Sequence, residues 1–213
     1  MANLAVRDTP MATGATPGRR ERNKLEKQAR IVGAARDLFH RQGFAETTTL
    51  QIAEAADIGT GTLFLYAKSK EDLLVLVFKD EMLETVRTIY ANLPTTISVT
   101  ARLMFVFNQM ADYHARDADL SRMLLRELVI PSSPERISDI AELMDVIFDG
   151  LTDIVRTADL PEKIDPALTA RSAFALYYFA LISWLGSGFD RNWCMRLLRD
   201  QLSMLMVTET THD

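Results

Sequence analysis

With 213 residues, 48% hydrophobic and 25% charged, the chain is long enough to bury a core in one large or two small domains, and its composition is that of an ordinary soluble globular protein. A single cysteine, Cys194, excludes an intramolecular disulfide framework and any Cys-based zinc site, and it suits a reducing compartment. The net charge of −5 hides an asymmetry: residues 1–70 carry 11 Lys/Arg against 7 Asp/Glu, a net of +4, whereas residues 71–213 carry 13 against 22, a net of −9. A basic first third beside an acidic remainder points to a polyanion as partner of the first third only. The opening MANLAVRDTPMATGATPGRR lacks the apolar core of a signal peptide, and the longest apolar run, residues 173–185, falls short of the ~20 residues a bilayer span needs. A soluble, cytoplasmic protein is expected.

In chain order, residues 1–18 are rich in Ala, Thr, Pro and Gly without periodicity and read as disordered. With Arg19, Arg20 and Arg22 they make a basic arm over residues 1–23. The basic run continues through Lys24, Lys27 and Arg30 into a helix whose Ile31, Ala35, Leu38 and Phe39 share one face, ended by Gly43. Thr48 and Gln51 stand at capping-box spacing before a short helix with small apolar residues Ile52, Ala53 and Ala56. Asp57-Ile58-Gly59 breaks it, and residues 60–66 rebuild about two turns. Ser69 and Asp72 repeat the cap signature and open a long helix that Asn92 and Pro94 stop near Tyr90. Helix, tight turn, second helix is a device for presenting a short helix to a DNA major groove.

Further helices are expected over residues 96–114, 120–130 and 137–154, the last with apolar steps of three and four; 159–166 is a loop. Residues 167–186 are apolar nearly all round, and a final helix runs from Asp190 to about Val207 with Cys194, Leu198, Leu202 and Leu205 on one side. No strand-like alternation of any length occurs. The expectation is an all-α chain of about nine helices: a helix-turn-helix domain over 24–70, a larger domain over 71–208, and a frayed tail over 209–213.

The segments AARDLFHRQGF at 34–44, TTTLQIAEAADI at 47–58 and GTLFLYAKSKEDLL at 61–74 resemble the TetR-type (tetracycline-repressor-like) bacterial transcriptional regulators. The resemblance implies an N-terminal three-helix DNA-binding domain, a larger helical effector domain, and a dimer built from the last two helices. It departs from the usual pattern at Asp57, where glycine is common, at Gly59 and Thr60, where serine and lysine are common, and at Phe64, Leu65 and Ala67, where Tyr, His and Phe are frequent. Asp tolerates unusual backbone angles, so the turn survives the first of these. The candidate DNA-binding residues are Thr48, Thr49, Gly59, Thr60, Gly61, Thr62, Phe64, Leu65, Tyr66, Lys68 and Lys70. With Leu63 as inward anchor, Phe64 and Leu65 are expected to meet thymine methyl groups, while Thr48, Thr49, Tyr66 and Lys70 supply donors to the phosphates.

Methionines and aromatics gather after residue 80, which suits an adaptable apolar pocket as well as plain core packing. The candidate ligand-binding residues are Phe107, Met110, His114, Met144, Phe148, Tyr177 and Tyr178, in a pocket between helices 97–115, 137–156 and 167–185. Trp184, Phe189, Trp193, Leu198, Leu202 and Leu205 are the candidate dimer interface. No catalytic or metal-binding motif is visible and no cofactor is expected; Cys194 reads as inert packing. The reading is a cytoplasmic, dimeric, ligand-responsive repressor that binds a palindromic operator in double-stranded DNA and is released by a small apolar effector. Its rival is an all-α small-molecule carrier or enzyme whose N-terminal helices are structural.

Overall fold

The computed structural model describes residues 18–129, 134–158 and 164–206. Among them are nine α-helices and no strand. The expected disorder of residues 1–17, the loop residues 131–133 and 159–163 and the tail 209–213 lie outside the described residues.

The first helix, α1 (Arg19–Gln42), starts earlier than expected, so Arg19, Arg20 and Arg22 belong to helix and not to an arm. Its first three turns are nonetheless unsupported: nothing from Arg19 to Arg30 is buried, and the core begins at Ile31. Arg, Glu, Lys and Leu are good helix formers, which lets the overhang continue the supported segment without a core face of its own. Gly43, at φ 85°, ends α1 by donating its N–H to Phe39 O at 3.0 Å. The chain then folds Phe44 back onto Phe39, ring centroids 5.1 Å apart.

Helix α2 (Thr49–Ala55) opens on the expected capping box: Gln51 N–H donates to Thr48 Oγ1 at 3.2 Å, and Gln51 Oε1 accepts from Thr48 N–H at 2.9 Å. The turn puts Asp57 at φ 53°, so this aspartate takes the left-handed position that glycine would fill most easily. Helix α3 (Thr60–Leu63) is a single turn, shorter than the two turns expected. Thr60, Gly61 and Thr62 are weak helix formers, and the chain tightens through Leu65 and Tyr66, whose N–H groups donate to Thr62 O and Leu63 O at 3.1 and 2.9 Å. Leu63, fully buried, is its anchor.

Helix α4 (Lys70–Ala91) begins on the second capping box, Ser69 with Asp72. It buries six residues in succession, Leu73 to Phe78, and therefore has no solvent face at that level. It packs on α1 as well as on α5 (Val99–Arg116), α6 (Ala118–Val129) and α7 (Pro134–Arg156). One apolar cluster runs without a break from Ile31 through α4 to Leu202, so α4 belongs to both the N-terminal head and the larger body. Helix α8 (Pro166–Ser187) has Asp165 as N-cap and proline at its first position, and Gly188 at φ 73° follows its end. At 22 residues, with an 18-residue stretch of mean hydropathy 1.2, it is long and apolar enough to cross a membrane, but Ala170, Ala173, Tyr177, Ala180, Leu181 and Leu185 are buried, and it packs on α7 and on α9 (Arg191–Leu205).

Candidate nucleic-acid interface and ligand cavity

The turn between α2 and α3 carries a compact exposed surface. Thr48, Gly59, Thr60, Gly61, Phe64, Leu65 and Lys68 are exposed, while Thr49, Thr62 and Tyr66 are half-buried at its edges. A Cβ at Gly59 or Gly61 would meet no atom of the chain within 4 Å. Their missing side chains therefore matter only to whatever approaches from outside. Leu65 is 77% exposed and Phe64 40%, both unsupported by the core, because Leu63 alone satisfies the inward side of so short a helix. Lys68 Nζ donates one proton to Phe64 O at 2.8 Å and keeps two for another acceptor.

Lys70 does not belong to this surface. Its ammonium donates to Phe44 O at 2.7 Å, Thr47 O at 2.9 Å and Ala45 O at 3.2 Å, and it lies 4.4 Å from the Phe44 ring centroid. Three donors meet three acceptors, which leaves none for a phosphate. The half-buried lysine ties the α1–α2 turn to the start of α4, a role that spacing along the chain cannot reveal.

The seven candidate ligand residues divide. Phe107 and Tyr177, both buried, stack at 4.7 Å and 6°; Phe174 bridges this pair to Phe148 at 5.3 Å and Tyr178 at 6.2 Å. Met110 is buried and Met144 half-buried. The expected space between α5, α7 and α8 is thus occupied at these positions by the chain's own rings. His114 lies apart, buried against Phe78 and Ser121. Ser121 donates its hydroxyl proton to His114 O at 3.1 Å, so the imidazole Nδ1, 3.1 Å from Ser121 Oγ, is the protonated nitrogen. Burial pushes the His114 pKa down to about 4, so the ring is neutral at physiological pH.

None of the seven lines the cavity of about 480 Å³ that lies between α1, α4, α5 and α6. Glu81 of α4 is one of its lining residues. The carboxylate accepts from Tyr113 Oη of α5 at 2.6 Å through Oε2, and faces His40 Nε2 at 2.9 Å and Arg36 Nε at 3.2 Å, both on α1, through Oε1. Arg36 also pairs with Asp80. Burial and the hydrogen bond to Glu81 raise the Tyr113 pKa far above its ordinary value, so the phenol remains a donor. Residues 36, 40, 81 and 113 are brought together only by packing, and no motif marks them. A second ionic tie joins body to head: Arg136 of α7, almost wholly buried, pairs with Asp72, which also accepts the Lys68 and Ser69 N–H groups at 2.8 and 3.1 Å.

The candidate interface residues also divide. Phe189 and Trp193 are exposed and stack at 5.3 Å; Trp184 and Leu205 are half-buried. Leu198 and Leu202 are fully buried within the chain and cannot present a surface. They share the inner stripe with Cys194 at steps of four, whereas Trp193 and Met204 lie on the opposite side of α9. Sequence reasoning missed Leu168 and Phe179 on α8 and Met204 on α9, which are 64%, 63% and 77% exposed. Burial raises the Cys194 pKa, consistent with an inert thiol.

The family model described as "Bacterial regulatory proteins, tetR family" matches residues 31–77. The fatty acid metabolism regulator protein of Bacillus subtilis (strain 168) is 23% identical over 190 residues, covering 88% of this chain and 97% of that protein; the transcriptional repressor KstR of Rhodococcus jostii is 26% identical over 163 residues, covering 75% and 73%. Among solved structures, Thermus thermophilus FadR, a TetR family transcriptional repressor in complex with lauroyl-CoA, superposes with a TM-score of 0.68 at 26% identity, covering 87% of this chain and 98% of that one. Bacillus subtilis FadR in complex with stearoyl-CoA has a TM-score of 0.59 at 22% identity over 86% and 99%, a likeness of fold.

Proposed function

We propose that the chain is a member of the tetR family of bacterial regulatory proteins, a cytoplasmic homodimeric repressor that binds a palindromic operator and is released by a fatty acyl effector. The observation that carries the reading is the exposed α2–turn–α3 surface, an apolar and hydroxyl-bearing reading head held on a buried Leu63. Leu65 and Phe64 offer apolar contact to thymine methyls, and Thr48, Thr49, Thr60 and Lys68 offer donors to phosphates. The overhanging turns of α1 add the exposed cations Arg19, Arg20, Arg22 and Lys24.

Dimerisation is supported by the free apolar face of α8 and α9. Leu168, Ala175 and Phe179 on α8 and Phe189, Trp193 and Met204 on α9 are exposed, and two copies of this helix pair would close a four-helix bundle. A two-fold arrangement sets the reading heads about one DNA turn, ~34 Å, or a multiple of it apart, and so calls for a palindromic site.

The acyl character of the effector is proposed from the lauroyl-CoA complex of the Thermus repressor. The rival reading, a carrier or enzyme with structural N-terminal helices, leaves the match over residues 31–77 unexplained. A mobility-shift experiment with the DNA upstream of the protein's own reading frame tests the proposal. Binding with a Kd of about 10⁻⁸ M or tighter, lost on addition of lauroyl-CoA, is expected. Affinity no better than for competitor DNA would sink the regulator's self-operator, and binding indifferent to lauroyl-CoA would sink the effector class.

A further inference from the structure

The side chains from Gly59 to Tyr66 include no acid, no base and no carboxamide. Thr60, Thr62 and Tyr66 bring hydroxyls; of the three apolar residues, Leu63 is buried while Phe64 and Leu65 are exposed. The arginine, asparagine and glutamine groups that grip guanine and adenine through two hydrogen bonds are thus missing from α3 and the turn after it. Lys68, the next cation along the chain, is turned back onto Phe64 O at 2.8 Å. Gly59 and Gly61 carry only hydrogen, and a Cβ at either would touch nothing of the chain within 4 Å. These two positions therefore let a base edge come close to the backbone in the turn before Leu65.

Of everything a base pair shows in the major groove, one feature is apolar: the C5-methyl group of thymine. Leucine has neither donor nor acceptor, so it does not read the O4 of thymine or the amino group of cytosine beside that position. The hydroxyls of Thr60 and Thr62 both donate and accept, and so fit either of those polar groups. Cytosine methylated at C5 carries the same methyl on the same ring atom. We propose that the reading head recognises the C5-methyl group itself, on thymine and on 5-methylcytosine alike, with Leu65 and Phe64 as the residues that hold it, and that cytosine methylation within the operator therefore strengthens binding. The proposal rests on the DNA-binding reading above and adds to it the chemical group that is read. Burying one methyl group is worth a factor of about four, and a two-fold site offers it twice, so the pair of methyls changes operator affinity roughly tenfold.

The test uses the full-length protein and a duplex that it selects from a random pool. Each thymine in turn is replaced by uracil in both half-sites, which removes the methyl and leaves the pairing edge unchanged. A loss of about tenfold is expected at one position or more. There the T·A pair is exchanged for C·G and for 5-methylcytosine·G, and the methylated duplex is expected to bind about tenfold more tightly than the unmethylated one. In a double variant, Phe64→Ala with Leu65→Ala, both truncated side chains are exposed, and both differences are expected to fall below about twofold. Leu65→Met, which keeps the apolar contact, is expected to retain them. The slope of log K against log salt is expected to stay that of the wild type in both variants, since no cation is removed. Uracil tolerated at every thymine, or a selected half-site without thymine, overturns the proposal. So does equal affinity for cytosine and 5-methylcytosine, or a methyl preference that survives in the double variant. Failure to enrich any sequence overturns the DNA-binding reading itself, whereas enrichment with indifference to the methyl overturns this proposal alone.

Discussion

Lys70 Nζ lies 4.4 Å from the centroid of the Phe44 ring and donates to the Phe44 carbonyl at 2.7 Å, so one side chain grips both the face and the backbone of the same residue. Lys68, two residues earlier, is exposed and holds only one carbonyl. Two lysines that look alike in a basic motif thus have different work. Replacing Lys70 with Met strands three carbonyls and should destabilise the protein by about 1–3 kcal/mol in urea unfolding. Lys68→Met should leave stability within about 0.5 kcal/mol and weaken DNA binding, with a flatter salt dependence. Equal stability losses would contradict the division.

The overhang of α1 predicts a salt effect. Replacing Arg19, Arg20, Arg22 and Lys24 together by Ala removes four exposed cations without touching the core. The slope of log K against log salt should flatten by up to about 0.9 for each phosphate no longer neutralised. Leu65→Ala should instead change base preference at one position per half-site and leave the slope as it was. Identical slopes in the four-residue variant and the wild type would mean that the overhang touches no DNA.

The free face of α8 and α9 separates surface from core. Phe179→Glu or Trp193→Asp, at exposed positions, should convert dimer to monomer in sedimentation with helical content retained. Leu198→Ala, at a fully buried one, should cost about 2–5 kcal/mol of stability by opening a cavity. A monomeric wild type, or a dimer indifferent to both surface charges, would refute the assigned face.

Stability should depend on the His114 charge. The imidazole of the folded chain titrates near pH 4, below the ordinary value of 6.5, so the unfolded chain takes up the proton first. The neutral ring's contribution is therefore intact above about pH 6.5, is lost progressively as pH falls towards 4, and levels off below that. The full loss is about 3 kcal/mol. His114→Gln removes this term, so the difference between wild type and variant should vary with pH across that window; a constant difference would show that His114 is not the titrating group.

Gly150 of α7 and Tyr90 of α4 form a tight crossing. A Cβ on Gly150 would overlap the Tyr90 ring, whose hydroxyl donates to Ile147 O at 2.8 Å. Gly150→Ala should cost about 1–3 kcal/mol through forced displacement of the ring. In a Tyr90→Ala background the same substitution should cost nearly nothing, because the obstruction is gone. Additive effects would mean that the crossing does not depend on this pair.

Local rules were enough for the helices of this protein. Thr48 with Gln51 and Ser69 with Asp72 specify their own caps at three-residue spacing; Gly43 and Asp57 specify backbone turns; steps of three and four mark the buried faces. Each signal lies within a few residues and needs no partner from elsewhere, which is also why the reading head was legible by likeness. The single-turn length of α3 was not, because tightening at Leu65 depends on how Leu63 is seated.

What only the tertiary structure decided is who meets whom across the chain. Lys70 ends on the carbonyls of residues 44, 45 and 47 and so leaves the DNA surface; Leu198 and Leu202 turn inward and leave Phe179 and Met204 outside; Phe107 and Tyr177 pack against each other in place of a ligand. Glu81 gains His40 from 41 residues before it and Tyr113 from 32 residues after it. Periodicity states which side of a helix is apolar, but not which neighbour covers it, because that is settled by the joint packing of all the helices among the described residues.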